Sequence, residues 1–104
     1  MKIPRRGEVW LADLGMIAKI RPVLVFSIPF GESDYALFHV VPHTTAIRNS
    51  QFEVGVNVPW LASGVFNIQG SLSVPKSNLV RVMGTLSEEQ LAPIEKSLRR
   101  WLNL

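Results

Sequence analysis

The chain has 104 residues, 47% of them apolar, with eleven Lys and Arg against eight Asp and Glu, giving a net charge of +3 and a mean hydropathy of +0.20. That length and composition predict one domain spanning residues 1–104 with a single compact core and exclude a disordered chain. The absence of cysteine excludes a disulfide scaffold and a thiolate metal site, and only His39 and His43 are available as imidazole ligands. Neither a metal nor a cofactor is expected. The modest basic excess suits an anionic partner such as nucleic acid without demanding one.

The opening stretch carries Arg5 and Arg6 with no apolar run behind them. The longest apolar stretch, around Pro22 to Phe26, is far short of a membrane span. A cytoplasmic protein without a membrane partner is expected. Gly7 to Asp13 alternates, with Val9 and Leu11 on one face and Glu8, Trp10 and Ala12 on the other. Arg21 to Ser27 is nearly continuous in apolar residues, as a strand buried on both sides would be, and Pro22 sits at its start, where a missing N–H costs least. Turn residues fill Ile28 to Asp34, and Tyr35 to Pro42 reads as the next strand. Thr44 to Gln51 is polar and reads as a loop. Phe52 to Val58 alternates cleanly, with Phe52, Val54, Val56 and Val58 inward. Val65 to Val74 gives one or two short strands, with Gly64 and Gly70 as bends, and Leu79 to Met83 a last one.

The C-terminal segment changes period. Ser87 and Gln90 are spaced as a capping box, Glu88 and Glu89 occupy the first turn, and Lys96, Arg99 and Arg100 lie towards the other end, all in the sense the helix dipole favours. Leu91, Ile94, Leu98, Trp101 and Leu102 fall on one face, which is expected to pack on the sheet. Pro93 removes one backbone bond, and a slight kink is expected near Glu89 to Leu91. Many short antiparallel strands followed by one helix predict a mainly β fold of α+β type: a strongly bent antiparallel sheet or open barrel with a helix on it.

The sequence holds no phosphate-binding glycine loop and no G-x-S-x-G, and its eight acids are scattered, three of them in the helix, which argues against two-metal phosphoryl chemistry. A nuclease built from this chain would use the RNA's own 2′-hydroxyl as nucleophile. It would need a proton acceptor, a proton donor and cationic or hydrogen-bonding groups around the phosphorane. The densest cluster of such residues is Pro42-His43-Thr44-Thr45-Ala46-Ile47-Arg48, at a strand end. A solvated loop whose threonines cap turns explains the same residues without any chemistry.

In order along the chain, Gly7-Glu8-Val9-Trp10 resembles the opening G-[DE]-[IV]-W strand of the MazF/PemK toxin family. Arg21-Pro22-Val23-Leu24-Val25 with Ser27 resembles its R-P-[AV]-[LV]-V-x-S strand, and Val41-Pro42-His43-Thr44-Thr45 its V-P-x-T-T strand end. Phe52-Glu53-Val54 follows, Gln69 stands where the family tends to carry glutamine, and Gly84-Thr85-Leu86-Ser87 leads into the helix. Each piece is weak alone, and together they span nearly the whole chain. The resemblance implies an SH3-like barrel type of bent sheet, a homodimer, metal-independent endoribonuclease action on single-stranded RNA, and a protein antitoxin as partner. DNA would be reached only through an antitoxin complex. It makes Arg21 and Thr44 the catalytic pair. Beside it, their chemistry and position make His43, Thr45 and Ser27 candidate acid/base or support residues, and Lys19, Arg48, Gln69 and Lys76 candidate RNA contacts, with a solvated surface charge as the alternative for each cation.

The chemistry of that pair is reasonable. Arg21 is a permanent cation with forked donors, better suited to stabilising charge and donating a proton than to abstracting one. Thr44 can donate to a non-bridging oxygen. His43 titrates near neutrality, but neighbours on a strand point to opposite faces, so only one of His43 and Thr44 can face a common site. The structural alternative for Arg21 is an ion pair with Glu8 or Asp13, for Gln69 a backbone contact, and for Trp10, Trp60 and Phe66, which could stack bases, core or dimer packing. One departure from the family is the short, apolar Leu14 to Ile20 segment, where relatives carry a longer polar or acidic loop, so no acidic helper is carried over from it. The competing functions are a toxin of the same fold that binds a protein target, as gyrase poisons do, and a catalytically silent SH3-like binding module.

Overall fold

The computed structural model describes residues 2–15 and 19–104. Among the described residues seven strands precede one helix: β1 (Glu8–Asp13), β2 (Ile20–Val25), β3 (Phe38–Thr44), β4 (Glu53–Val54), β5 (Val65–Asn67), β6 (Leu72–Val74), β7 (Leu79–Thr85) and α1 (Glu88–Leu102). Single 3₁₀ turns at Ile68–Gly70 and Lys76–Asn78 precede β6 and β7. The strands form one sheet in the order β4-β5-β3-β2-β1-β7, with β6 also on β3, and neighbours run antiparallel. The sheet is bent but does not close, since β4 and β7 end it without pairing to each other.

Alternation along the central strands sends side chains to two apolar layers. Val9, Leu24, Val41, Phe66 and Ile68 face α1 and meet Leu91, Ile94 and Leu98. Trp10, Ala12, Val23, Val25, Phe38 and Val40 face the other way and pack with Val74 and Leu79. The continuous apolar run of β2 is thereby explained: Val23, Leu24 and Val25 are all fully buried. Glu8 is buried with them because its carboxylate accepts from Trp10 Nε1 (3.1 Å) and the Arg5 N–H (2.8 Å) and pairs with Lys2 Nζ (3.1 Å). Burial alone would raise its pKa, and these partners outweigh burial and hold it below the usual carboxylate value.

Three expected elements differ. The Tyr35 to Pro42 strand begins only at Phe38: Tyr35 and Leu37 are exposed, and the Leu37 N–H closes a tight turn on Tyr35 O. The Phe52 to Val58 strand shrinks to Glu53–Val54, because its partner β5 is three residues long and offers two pairing positions. Phe52, Val54, Val56 and Val58 still pack on the helix-side core, so the alternation reports burial without a ladder. The last strand runs two residues further, to Thr85. Val65 to Val74 resolves into β5 and β6 with Gly70 in the turn between them.

The helix starts on the expected capping box, in which Ser87 Oγ accepts the Gln90 N–H (3.2 Å) and Gln90 Oε1 accepts the Ser87 N–H (2.8 Å). It continues unbroken through Pro93 and ends on Asn103 in the left-handed region (φ 58°). Leu91, Ile94 and Leu98 are buried, whereas Trp101 and Leu102 are not packed into the core as expected. They are 43% and 53% exposed, and the Trp101 ring packs on the Phe52 ring (centroids 5.1 Å apart) at the end of the helix.

Candidate active site

The site begins with register. β2 and β3 pair Val23 with Pro42, Leu24 with Val41 and Val25 with Val40. Carried two residues further, the same antiparallel register sets Arg21 across from Thr44, and both are half-buried. Thr44 shares its face with Pro42 and Val40, while His43 shares the opposite face with Val41. His43 is accordingly sunk towards the helix-side core, 2% exposed, with its ring edge-on to Phe66 (centroids 5.1 Å) and Nε2 without a hydrogen-bond partner among the described residues. Burial pushes its pKa below the ordinary imidazole value, which keeps the ring neutral at neutral pH.

The edge of β3 is shared. β5 pairs with it at His43 and Thr44, β6 at Phe38, His39 and Val40, and the Ile68–Gly70 turn bridges the gap. This corner, β4 and the loop after β3 enclose a polar cleft of about 580 Å³ lined by Arg21, Thr44, Ala46, Arg48, Glu53, Asn67, Gln69 and Gly70. A smaller cleft of about 250 Å³, lined by Ile20, Arg21, Pro22, His43, Thr44, Thr45 and Ala62, adjoins it. Arg21 and Thr44 belong to both and so form the ridge between them.

Local bonds fix the ridge. Thr44 Oγ1 accepts the Ala46 N–H (3.0 Å), which leaves the hydroxyl proton to donate outward. The Glu53 carboxylate accepts the N–H of Arg48 (3.1 and 3.2 Å) and of Ser50 (2.9 Å), cinching the loop against β4. Gly64 lies flat against β3, where a Cβ would collide with the Thr44 carbonyl oxygen and crowd His43 Cε1. Gly70 lies against Asn67, where a Cβ would stand 2.6 Å from Nδ2. Gly64 lets β5 approach the ridge, while at Gly70 the Asn67 side chain takes the space a Cβ would fill.

Of the residues singled out in the sequence, Arg21, Thr44, Arg48 and Gln69 come together in the polar cleft, while His43 and Thr45 reach only the smaller one. Ser27 lies outside both clefts. Its Oγ accepts the His39 N–H (3.0 Å) and ties the chain after β2 to β3. Lys19 is exposed, in the left-handed region (φ 55°), and its segment's residues 16–18 fall outside the described residues. Lys76 also lies outside both, its Nζ 5.2 Å from the centre of the Trp10 ring. Trp10 and Phe66 are buried in the core and not open to stack a base; Trp60 packs on Gly84. Two cleft residues, Glu53 and Asn67, were not singled out in the sequence. Asn67 stands two positions before Gln69, and Glu53 sits in the Phe-Glu-Val segment that follows the threonine pair. Among the described residues no three His, Asp or Glu side chains converge.

The family of PemK-like, MazF-like toxins of type II toxin–antitoxin systems matches residues 5–102. The chain belongs to that family. Its fold is similar to that of a mycobacterial endoribonuclease solved in complex with its cognate antitoxin (TM-score 0.83, 24% identity, 98% of this chain and 97% of that one). It is equally similar in fold to MazF from Deinococcus radiodurans (TM-score 0.83, 23% identity, the whole of both chains). A MazE–MazF structure from the same organism also matches (TM-score 0.83, 22% identity, 100% of this chain and 99% of that one). No curated protein matches this PemK-like chain in sequence. None of its helices is long and apolar enough to cross a membrane among the described residues.

Proposed function

We propose that this toxin is a metal-independent endoribonuclease that cuts single-stranded mRNA at short sequences, leaving a 2′,3′-cyclic phosphate and a 5′-hydroxyl. The observation that carries the reading is the ridge: Arg21 and Thr44, from different strands, meet across the β2–β3 register between two clefts. A strand laid over the ridge has its scissile phosphate there and a neighbouring nucleotide on each side. The 2′-hydroxyl gives its proton to solvent water as the 2′-oxygen bonds to phosphorus, the P–O5′ bond breaks, and the departing O5′ takes up a proton from water. Arg21 balances the charge on the phosphorane and donates towards O5′, and Thr44 donates its free hydroxyl proton to a non-bridging oxygen. Arg48 and Gln69 hold the flanking chain, with His43 and Thr45 supporting from the smaller cleft.

Its structural relatives include an endoribonuclease in complex with its cognate antitoxin and a MazE–MazF structure, which supports a cognate antitoxin as this chain's partner. A homodimer and a cytoplasmic location complete the proposal, with DNA contacted only through the antitoxin complex. The test is cleavage of a mixed-sequence single-stranded RNA in EDTA by the wild type, Arg21→Ala and Thr44→Ala. Cutting by the wild type alone, with all three folded, supports the pair. An RNA pool left intact by the wild type redirects the toxin towards a protein target.

A further inference from the structure

The polar cleft holds more hydrogen-bonding groups than phosphate transfer needs, and they are of different kinds. Asn67 and Gln69 line it with amide side chains that have no hydrogen-bond partner among the described residues. Each amide offers one acceptor oxygen and two N–H donors, side by side. Glu53 is the cleft's carboxylate, and its oxygens already take backbone N–H bonds from Arg48 and Ser50. A carboxylate offers about four lone-pair positions, so acceptor capacity is left on Oε2, which takes only the Arg48 N–H. The Asn67 amide lies against the open side of Gly70, where a Cβ would stand 2.6 Å from Nδ2.

We infer that this cleft reads the base next to the scissile phosphate by its Watson–Crick edge and accepts a base bearing an exocyclic amino group over uracil. This deepens, and rests on, the ribonuclease reading of the same site. Single-stranded RNA is read in this way, by unstacked bases hydrogen-bonded along their edges. An amide pairs with a donor and an acceptor set side by side, which every base offers. The carboxylate makes the choice. Adenine, cytosine and guanine can point an amino N–H at Glu53. Uracil brackets its single N–H with two carbonyl oxygens, and one of these would face the carboxylate. The discrimination belongs to Glu53, and the register of the base to Asn67 and Gln69.

The test is sequencing of RNA ends after partial digestion of one randomised single-stranded pool by the wild type, Asn67→Ala and Glu53→Gln. Preferences are compared within each digest, so a change in overall rate does not matter. In the wild type, uracil is depleted at one fixed position beside the cut, roughly tenfold for one base-edge contact. Glu53→Gln admits uracil there. Asn67→Ala, which removes no bond within the protein, flattens the preference at that position and leaves others alone. Unchanged preferences in both variants, or a wild type that accepts uracil freely beside the cut, overturn the inference while the ribonuclease reading stands. A wild type that cuts nothing removes both.

Discussion

The two faces of the sheet are made from the same strands and end in different things. The face under α1 is closed by Leu91, Ile94 and Leu98. The opposite face carries Trp10, Val23, Val25 and Val40, and at the end of the same rows stand Arg21 and Thr44 instead of apolar side chains. Moving two residues along β2, from Val23 to Arg21, takes the chain from full burial to a half-buried cation. Core and site are therefore successive positions on one ladder. The stiffness of the buried rows fixes the spacing of the ridge, since strand register cannot slip without turning every side chain to the wrong face.

That contrast can be broken first on the helix face. Ile94→Ala, at a fully buried position, should cost about 2–5 kcal/mol in urea unfolding and leave the ridge chemistry intact in the molecules that remain folded. At the ridge the balance reverses. Arg21→Ala or Thr44→Ala should lower the cleavage rate by about 10²–10³-fold, the usual effect of removing one preorganised donor, with a far smaller change in unfolding midpoint. An equal loss of stability in these variants would make the pair structural. Gly64→Ala connects the two regions. Its Cβ cannot fit against the Thr44 carbonyl, so β5 must move. A stability loss of about 1–3 kcal/mol should come with reduced cleavage, measured on the same preparation.

Smaller effects sharpen the comparison. Ser87→Ala removes half of the capping box and should cost about 1 kcal/mol by denaturant titration, with no effect on cleavage beyond the folded fraction. The last concerns pH. Burial lowers the pKa of His43, and of His39, in the folded protein. The unfolded chain therefore binds more protons between the two values. Stability is complete above the ordinary histidine pKa and falls as pH drops through it towards the lowered folded values. His43→Gln should flatten the fall in melting temperature between about pH 7 and pH 5. A slope unchanged in that variant would locate the effect in His39 instead.

Much of this was legible in the chain. The two-sided burial of β2 follows from an unbroken apolar run, the helix start from Ser87 and Gln90, and the opposed faces of His43 and Thr44 from strand alternation. The motif pieces pointed to Arg21 and Thr44 as a pair because each lies beside a recognisable strand. Where the reading failed, the missing information was a partner. Phe52 to Val58 alternates like a strand, but a ladder needs a neighbour of equal length, and β5 is too short to supply one. Trp101 has the right helical spacing for the core, yet it stays 43% exposed, with its ring against Phe52. Lys76 looked like any other cation until the fold set it on Trp10, away from both clefts.

The sequence by itself determined the strand periods, the capped helix, the mainly β class and the two residue types suited to a phosphate. Those are local properties, set by side-chain alternation, backbone capping and pKa. Only the tertiary structure decided that β5 and β6 divide the edge of β3 between them, and that their corner brings Asn67, Gln69 and Glu53 beside Arg21 and Thr44. Such contacts join residues far apart in the chain. Gly64 helps to make them possible, because any Cβ there would collide with the Thr44 carbonyl.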